Sequence, residues 1–407
     1  MNRATRYRSS IPGTMIPRTM TFGILAVLSA LLLIAARPVQ AQTEAVLYNF
    51  GSRPDDGYYP YAGLTFDKKG NLYGTTSEGG AYSDGTVFEV TKDGTEKILY
   101  SFGSQAGDGA YPFAGLIFDK EGNLYGTTYE GGAYGDGTVF ELTAAGTETV
   151  LYSFGSQTGD GTYPFAGLIF DKKGNLYGTT INGGAYGGGT VFELTAAGAE
   201  KVLYSFGSQA GDGARPYAGL TFGKKGNLYG TTKGGGSDGS GTVFELTAAG
   251  TEKVLHSFSI DGGDGDGYFP YGGLIFDKTG NLYGTTYSGG AYDQGTVFEL
   301  TADGAEKVLY SFGSQAGDGY YPDAGLVFDK AGNLYGTTSE GGAYDKGAAF
   351  ELTAAGTEKV LYSFVGQAGD GCLPYFGSLI FDKKGNLYGT TIGCGAETEG
   401  TVFKLVP

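Results

Sequence analysis

The stretch whose reading decides the fold is VLYNF, Val46 to Phe50. It returns as ILYSF at 98–102, VLYSF at 150–154 and 202–206, VLHSF at 254–258, and VLYSF at 308–312 and 360–364, each time as the last phrase of a longer unit. Only the first copy has no unit in front of it. The unit is marked by the heptapeptide GNLYGTT, which begins at Gly70, Gly122, Gly174, Gly226, Gly280, Gly332 and Gly385. Successive starts lie 52, 52, 52, 54, 52 and 53 residues apart. A period of this size belongs to solenoids, propellers and arrays.

In the second unit GLIFD (115–119) alternates apolar residues and leads through KEG into NLYGTT, the layout of a hairpin around a glycine-containing turn. TVFEL (138–142) and TVLYSF (149–154) follow, joined by TAAGTE. These four short strands, termed a, b, c and d, are rich in the branched and aromatic residues that pack well on a pleated surface. Gly126, inside strand b, reads as a place where an aromatic of a neighbouring sheet needs room. One unit cannot bury two apolar faces alone, but units stacked around an axis can. The a, b and c strands number seven each, and the last unit stops at TVFKL (401–405) with no d strand after it. Val46–Phe50 supplies the missing one. The expected fold is therefore all-β: a seven-bladed β-propeller over residues 42–407, four antiparallel strands per blade, with repeats starting near 61, 113, 165, 217, 271, 323 and 375. The N-terminal strand completes the last blade (3+1), which also protects a sheet edge from aggregation.

The repeated phrases Y-P-x-A-G-L, F-D-x-x-G-N-L-Y-G-T-T, a following G-G, and G-T-V-F-E-L-T resemble the tandem repeat named GloVer, found in exported bacterial proteins with differing C-terminal anchors. The resemblance spans residues 46–405 and implies export but no particular activity, since that family has no assigned biochemical role. The FKLVP ending carries no sorting tail of the kind such anchoring uses. A weaker similarity to kelch propellers rests on paired glycines after a strand and implies shared architecture only.

Residues 1–21 hold Arg3, Arg6, Arg8 and Arg18 and no acid, Phe22 to Ala36 are apolar, and VQA ends at Ala41. This is the layout of a secretory signal peptide, 1–41, cleaved after Ala41. Its apolar run of 15 residues falls short of the roughly 20 that a membrane span needs. The whole chain has 27 Lys and Arg against 43 Asp and Glu. The first 41 residues take away five arginines, leaving 22 against 43, a net charge of −21. Such a surface repels phosphate, so nucleic acid and anionic lipid are poor partners, while cations and neutral polymers fit.

The a–b and c–d turns are short and nearly uniform. The longer d–a and b–c loops share the opposite face, and function in a rigid ring resides on such loops. Each d–a loop carries an Asp-Gly pair four residues before a proline, at Asp56, Asp108, Asp160, Asp212, Asp266, Asp318 and Asp370. These carboxylates read either as turn residues bonding their own backbone, which recurrence in every blade favours, or as a ring of ligands for calcium or sugar hydroxyls. Tyr59, Tyr111, Tyr163 and Tyr321, with Phe269 in blade five, read either as stacking platforms for sugars or as wedges between blades. Arg215, Lys233 and Asp238 make blade four the most divergent on this face. GGDGDGYF in the blade-five linker matches a glycine-rich calcium nonapeptide once, making Asp261, Asp264 and Asp266 candidate calcium ligands. Cys372 and Cys394, the only cysteines, lie on loops of one face and read as a disulfide in an exported protein.

Catalytic motifs are missing: no Ser-His pairing, metal-spaced His/Cys set or phosphate-binding loop appears. The sole histidine, His256, replaces a tyrosine of the repeated d strand. Acids that break the repeat, Asp238, Asp261, Asp323, Glu397 and Glu399, fall in different blades. The sequence thus points to a secreted, periplasmic or cell-surface monomeric binding module for glycan or protein, with calcium as the one candidate cofactor. A carbohydrate-active hydrolase or lyase using carboxylates of the same face is the alternative, and a wall-associated spacer a third reading.

Overall fold

The computed structural model describes residues 43–260, 265–367 and 369–406. Each repeat becomes one antiparallel sheet ordered a-b-c-d, and seven such four-stranded sheets form the blades of a propeller. In blade two they are a (Ile117–Phe118), b (Leu124–Thr128), c (Thr138–Leu142) and d (Glu148–Ser153). Regular pairing of strand a is confined to two residues rather than the five of GLIFD. Gly115, at the start of that phrase, is packed against the preceding blade's backbone, so closely that a Cβ there would lie 3.1 Å from the Gly63 carbonyl oxygen.

The seventh sheet draws on both ends of the described chain. Thr43–Asn49 pairs antiparallel with Thr401–Val406, placing Val46 opposite Phe403, and Leu387–Thr391 and Ile380–Phe381 complete the order. Phe50 is fully buried among Leu64, Leu72, Phe88 and Val402, the seam between blades seven and one. Every seam repeats this design. Between blades two and three the core holds Val139, Phe154, Leu168, Leu176, Phe192 and Leu194, with Phe154 edge-on to Phe192 at 5.1 Å. The threonine in the middle of strand b reaches across the seam: Thr127 Oγ1 donates to Ala166 O at 3.1 Å, and Thr390 Oγ1 to Ala62 O at 2.9 Å.

Gly126 does make room for an aromatic ring, but not one from a neighbouring sheet. A Cβ at this position would stand 2.7 Å from Cζ of Phe140, on strand c of the same blade, and 2.9 Å from Leu116. Direct pairing of Gly126 with Phe140 explains the difference. On its other side the ring meets Phe102 of the preceding blade, with centroids 5.1 Å apart.

A second, two-residue ladder in each blade was not legible from strand-length patterns. In blade two Gly109–Ala110 pairs with Glu130–Gly131, zipping the d–a loop to the b–c loop. Gly131 needs its positive φ of 81°, since a side chain would meet the Asp108 carbonyl at 2.5 Å. In blade seven this ladder is spanned by a disulfide between Cys372 and Cys394, whose Cα atoms are 5.3 Å apart. The described residues hold one 3-10 turn, Lys224–Gly226, and no α-helix. None of their helices is long and apolar enough to cross a membrane. Residues 1–41 lie outside the described residues.

Candidate functional site

The seven Asp-Gly carboxylates sit low in the outer loops. Asp160 is buried; its Oδ2 accepts from Tyr152 Oη at 2.8 Å and from Ser156 N at 3.0 Å. Asp56, Asp108, Asp212 and Asp318 accept the equivalent tyrosine hydroxyl at 2.8–2.9 Å. Asp370 accepts instead from the backbone of Val365, and Asp266 from that of Ser259. The carboxylates thus do the work of turn residues, as recurrence favoured. Each seam adds a glutamate from the start of strand d: Glu44, Glu96, Glu148, Glu200, Glu252, Glu306 and Glu358. Burial, and then the adjacent ring aspartate, push Glu148 and Glu200 up to about 7. Glu96 also rises to about 7, although Arg53 pairs with it and pulls the other way.

The residues before the prolines form a structural ring. Tyr59, Tyr111, Tyr163, Arg215, Phe269, Tyr321 and Leu373 all have φ between 55 and 59°. Non-glycine residues seldom adopt this left-handed conformation, which here has a purpose. Tyr163 N donates to Asp136 O of the preceding blade, while its carbonyl accepts from Ile181 N of its own. Two of these side chains also stack across seams, Tyr163 on Tyr129 at 5.0 Å and Tyr321 on Tyr287 at 4.7 Å. Arg215 and Asp238 are exposed, while Lys233 turns inward.

Inside that ring lies a collar the sequence reading did not isolate. The residue after each proline is aromatic in six blades, Tyr61, Phe113, Phe165, Tyr217, Tyr271 and Tyr375, and Asp323 in the sixth. Neighbouring rings touch in series, Tyr61–Phe113, Phe113–Phe165, Phe165–Tyr217 and Tyr217–Tyr271, with centroids 5.1 to 5.3 Å apart. Blade seven carries one extra residue, the source of its 53-residue spacing. That residue range includes Phe376, whose ring meets Phe165 at 5.1 Å, Tyr271 at 5.8 Å and Tyr61 at 6.5 Å, partners in blades three, five and one. Phe376 therefore sits in the middle of the collar. The collar heads a central cavity of about 350 Å³ lined by the innermost residues of all seven blades.

Asp323 is the only carboxylate among the residues lining that cavity. It is 1% exposed, and neither carboxyl oxygen has a well-formed hydrogen bond, the nearby Ser339 hydroxyl donating instead to Tyr321 O at 2.9 Å. Burial holds its pKa well above the usual carboxylate range and so favours the protonated form, in which a carboxyl group donates as well as accepts. Lys233 places Nζ 5.0 Å from the Tyr271 ring centroid and 5.4 Å from that of Tyr217, a cation held on the aromatic rim. Farther out, Tyr82, Tyr134, Tyr186, Tyr292 and Tyr344 of the b–c loops are each more than half exposed. Of the candidate calcium ligands, Asp261 and Asp264 lie outside the described residues. Asp266 instead stands beside His256 and Glu306, with ligand atoms of the three within 4.8 Å of one another.

These features define a repeat-built β-propeller with an asymmetric central cavity headed by an aromatic collar. The chain belongs to the Gloeobacter/Verrucomicrobia repeat family, which matches residues 35–233, 105–275 and 222–407. No curated protein matches it in sequence. Among solved structures it is similar to a streptogramin B lyase, at 15% identity and a TM-score of 0.58 over 90% of this chain and 97% of that one. An extracellular domain of a hybrid two-component system from B. thetaiotaomicron is similar at 15% identity and a TM-score of 0.56, over 90% of this chain and 41% of that one. A puromycin hydrolase mutant, at 11% identity, reaches a TM-score of 0.52 over 85% of this chain and 52% of that one. At these identities the likeness is one of fold.

Proposed function

We propose that this protein is an exported binding module, secreted or envelope-associated after cleavage near Ala41, that takes a neutral glycan at the collar. One observation carries the reading: a sevenfold position that is aromatic in six blades becomes, in the sixth, a buried acid with no partner of its own. A protein that leaves a buried polar group unpaired forfeits about 1–3 kcal/mol, a cost that a ligand hydroxyl would offset on binding. Aromatic faces suit the apolar C–H faces of a sugar ring, and a neutral carboxyl suits its hydroxyls, since it donates and accepts at once. Lys233 on the rim adds a fixed donor. The net charge of −21 disfavours acidic polymers, which narrows the class to neutral or basic glycans. A two-carboxylate hydrolase would need a second acid, and Asp323 has no carboxylate companion among the cavity-lining residues.

The test is a glycan array run with calcium and with chelator, followed by calorimetry on the best hit with Asp323→Tyr, which restores the aromatic of the other blades. Retention of a neutral glycan, weakened at least about tenfold by Asp323→Tyr without a lower melting temperature, is the expected result. An array with no retained glycan, or equal binding by the variant, would sink the reading.

A further inference from the structure

Six of the seven outer seams carry the same three side chains: a d-strand tyrosine, the loop aspartate and the next blade's glutamate. At the joint between blades four and five, His256 stands in the tyrosine position, beside Asp266 of the linker and Glu306 of the blade-five outer strand. The exchange alters the chemistry of the seam. A phenol hydroxyl satisfies the aspartate by donating to it, as Tyr204 does to Asp212 at 2.9 Å. The imidazole does not: His256 Nε2 lies 3.5 Å from Asp266 Oδ2 and has no hydrogen-bond partner. Asp266 Oδ1 and Glu306 Oε1, likewise buried, are also unpartnered. Three ligand groups of complementary type, each with an unpaired atom, thus converge from three separate elements, with a ligand atom of each within 4.8 Å of the others. The imidazole is itself held edge-on against Phe258, with ring centroids 4.6 Å apart.

From this convergence we infer that His256, Asp266 and Glu306 form a divalent transition-metal site, zinc being the fitting ion, that clamps blade four to blade five. Tetrahedral zinc with bonds of about 2.0–2.2 Å sets its ligand atoms roughly 3.3–3.6 Å apart, so the His256–Asp266 separation already suits it. Two carboxylates would balance the charge of the ion. The imidazole selects against calcium and magnesium, which prefer oxygen-only shells of six or more ligands. Three protein ligands leave a position for water. The location is also apt, because the repeat spacing of 54 makes this linker two residues longer than the common one, and a metal held by Asp266 and two outer strands would restrain the joint the linker spans. None of the three residues lines the central cavity, so the site is independent of the glycan reading.

The decisive experiment uses the chain without an affinity tag, washed with chelator. Zinc and, separately, calcium are titrated by calorimetry while the imidazole NMR signal is followed; with one histidine in the chain that signal is unambiguous. His256→Tyr, which recreates the other six seams, serves as the variant least able to harm folding, and Glu306→Gln as the second. The expected result is one zinc per chain, a shifted His256 signal, little response to calcium, and affinity lowered at least about tenfold in both variants. No zinc binding, binding unchanged in His256→Tyr, or binding that leaves the imidazole signal where it was would each overturn the assignment.

Discussion

The outer seams and the inner collar are built from the same repeat but have diverged in opposite ways. At the seams, Tyr152, Asp160 and Glu200 recur with little change around the ring, and the one exchange of residue, His256, keeps the strand position but leaves the aspartate without its hydroxyl donor. At the collar, equivalent positions carry Tyr, Phe or Asp, one blade inserts Phe376, and a lysine leans in from blade four. The contrast teaches where selection on packing ends. A seam residue touches two blades and must satisfy both, so substitutions there cost stability. A collar residue meets its neighbours ring to ring but also borders the central cavity, which leaves room for a change of side chain, and differences on the axis are seen by anything bound there.

The comparison can be broken most forcefully at the rim. A chain beginning at Gly51 lacks the outer strand of blade seven and loses Phe50 from the blade-seven seam. Phe50 is fully buried and the half-buried Leu47 and Tyr48 pack on the same core; at about 1.5–3 kcal/mol for each fully buried side chain, their loss takes a large share of the net stability of a typical domain. The truncated chain is expected to aggregate or to melt far below the parent, by scanning fluorimetry and size exclusion; a matching melting curve would falsify the view that this strand holds the ring together.

A smaller, paired test sets one aspartate against another. Asp160→Ala strands Tyr152 Oη and Ser156 N without their acceptor and is expected to cost about 1.5–3 kcal/mol in denaturant titration, with glycan binding unchanged. Asp323→Tyr, with no partner to orphan, is expected to leave stability equal or higher. If both variants lose stability alike, the division between seam and collar fails.

The gentlest test is pH. Burial raises Glu44, Glu96, Glu148, Glu200, Glu252 and Glu358 from 4.5 to about 7, and raises Glu306 as well. Between those values the folded ring holds protons that the unfolded chain has released. The stability contributed by these groups is therefore complete below about pH 4.5 and is lost as pH rises through about 7. Asp171, Asp277 and Asp382 in the a–b turns are lowered and act only below 3.8, outside this window. The melting temperature at constant ionic strength is expected to fall by several degrees from pH 5 to pH 8, and a rise over that range would show that the glutamates do not carry the effect.

Much of this was legible in the chain alone. Repeat spacing, alternation and the unmatched Val46–Phe50 led to seven four-stranded blades, because strand chemistry is local and a repeat cannot bury its faces without copies of itself. The turn role of the Asp-Gly pairs was legible for the same reason: Asp160 bonds within its own loop. What the sequence analysis missed were relations that cross blades. Gly126 was matched to the wrong sheet because only pairing register shows which phenylalanine lies over it. Phe376 appeared as no more than a one-residue irregularity in spacing, although that irregularity was the available signal.

Composition and period by themselves determined the architecture, since apolar alternation and closure of unpaired edges leave few alternatives for seven near-identical units. Tertiary structure alone decided which irregular residues matter. Asp323, Lys233 and Phe376 come from blades six, four and seven, and only the ring's curvature turns all three toward one axis; His256 and Glu306, fifty residues apart, become neighbours only because the end of one outer strand abuts the start of the next.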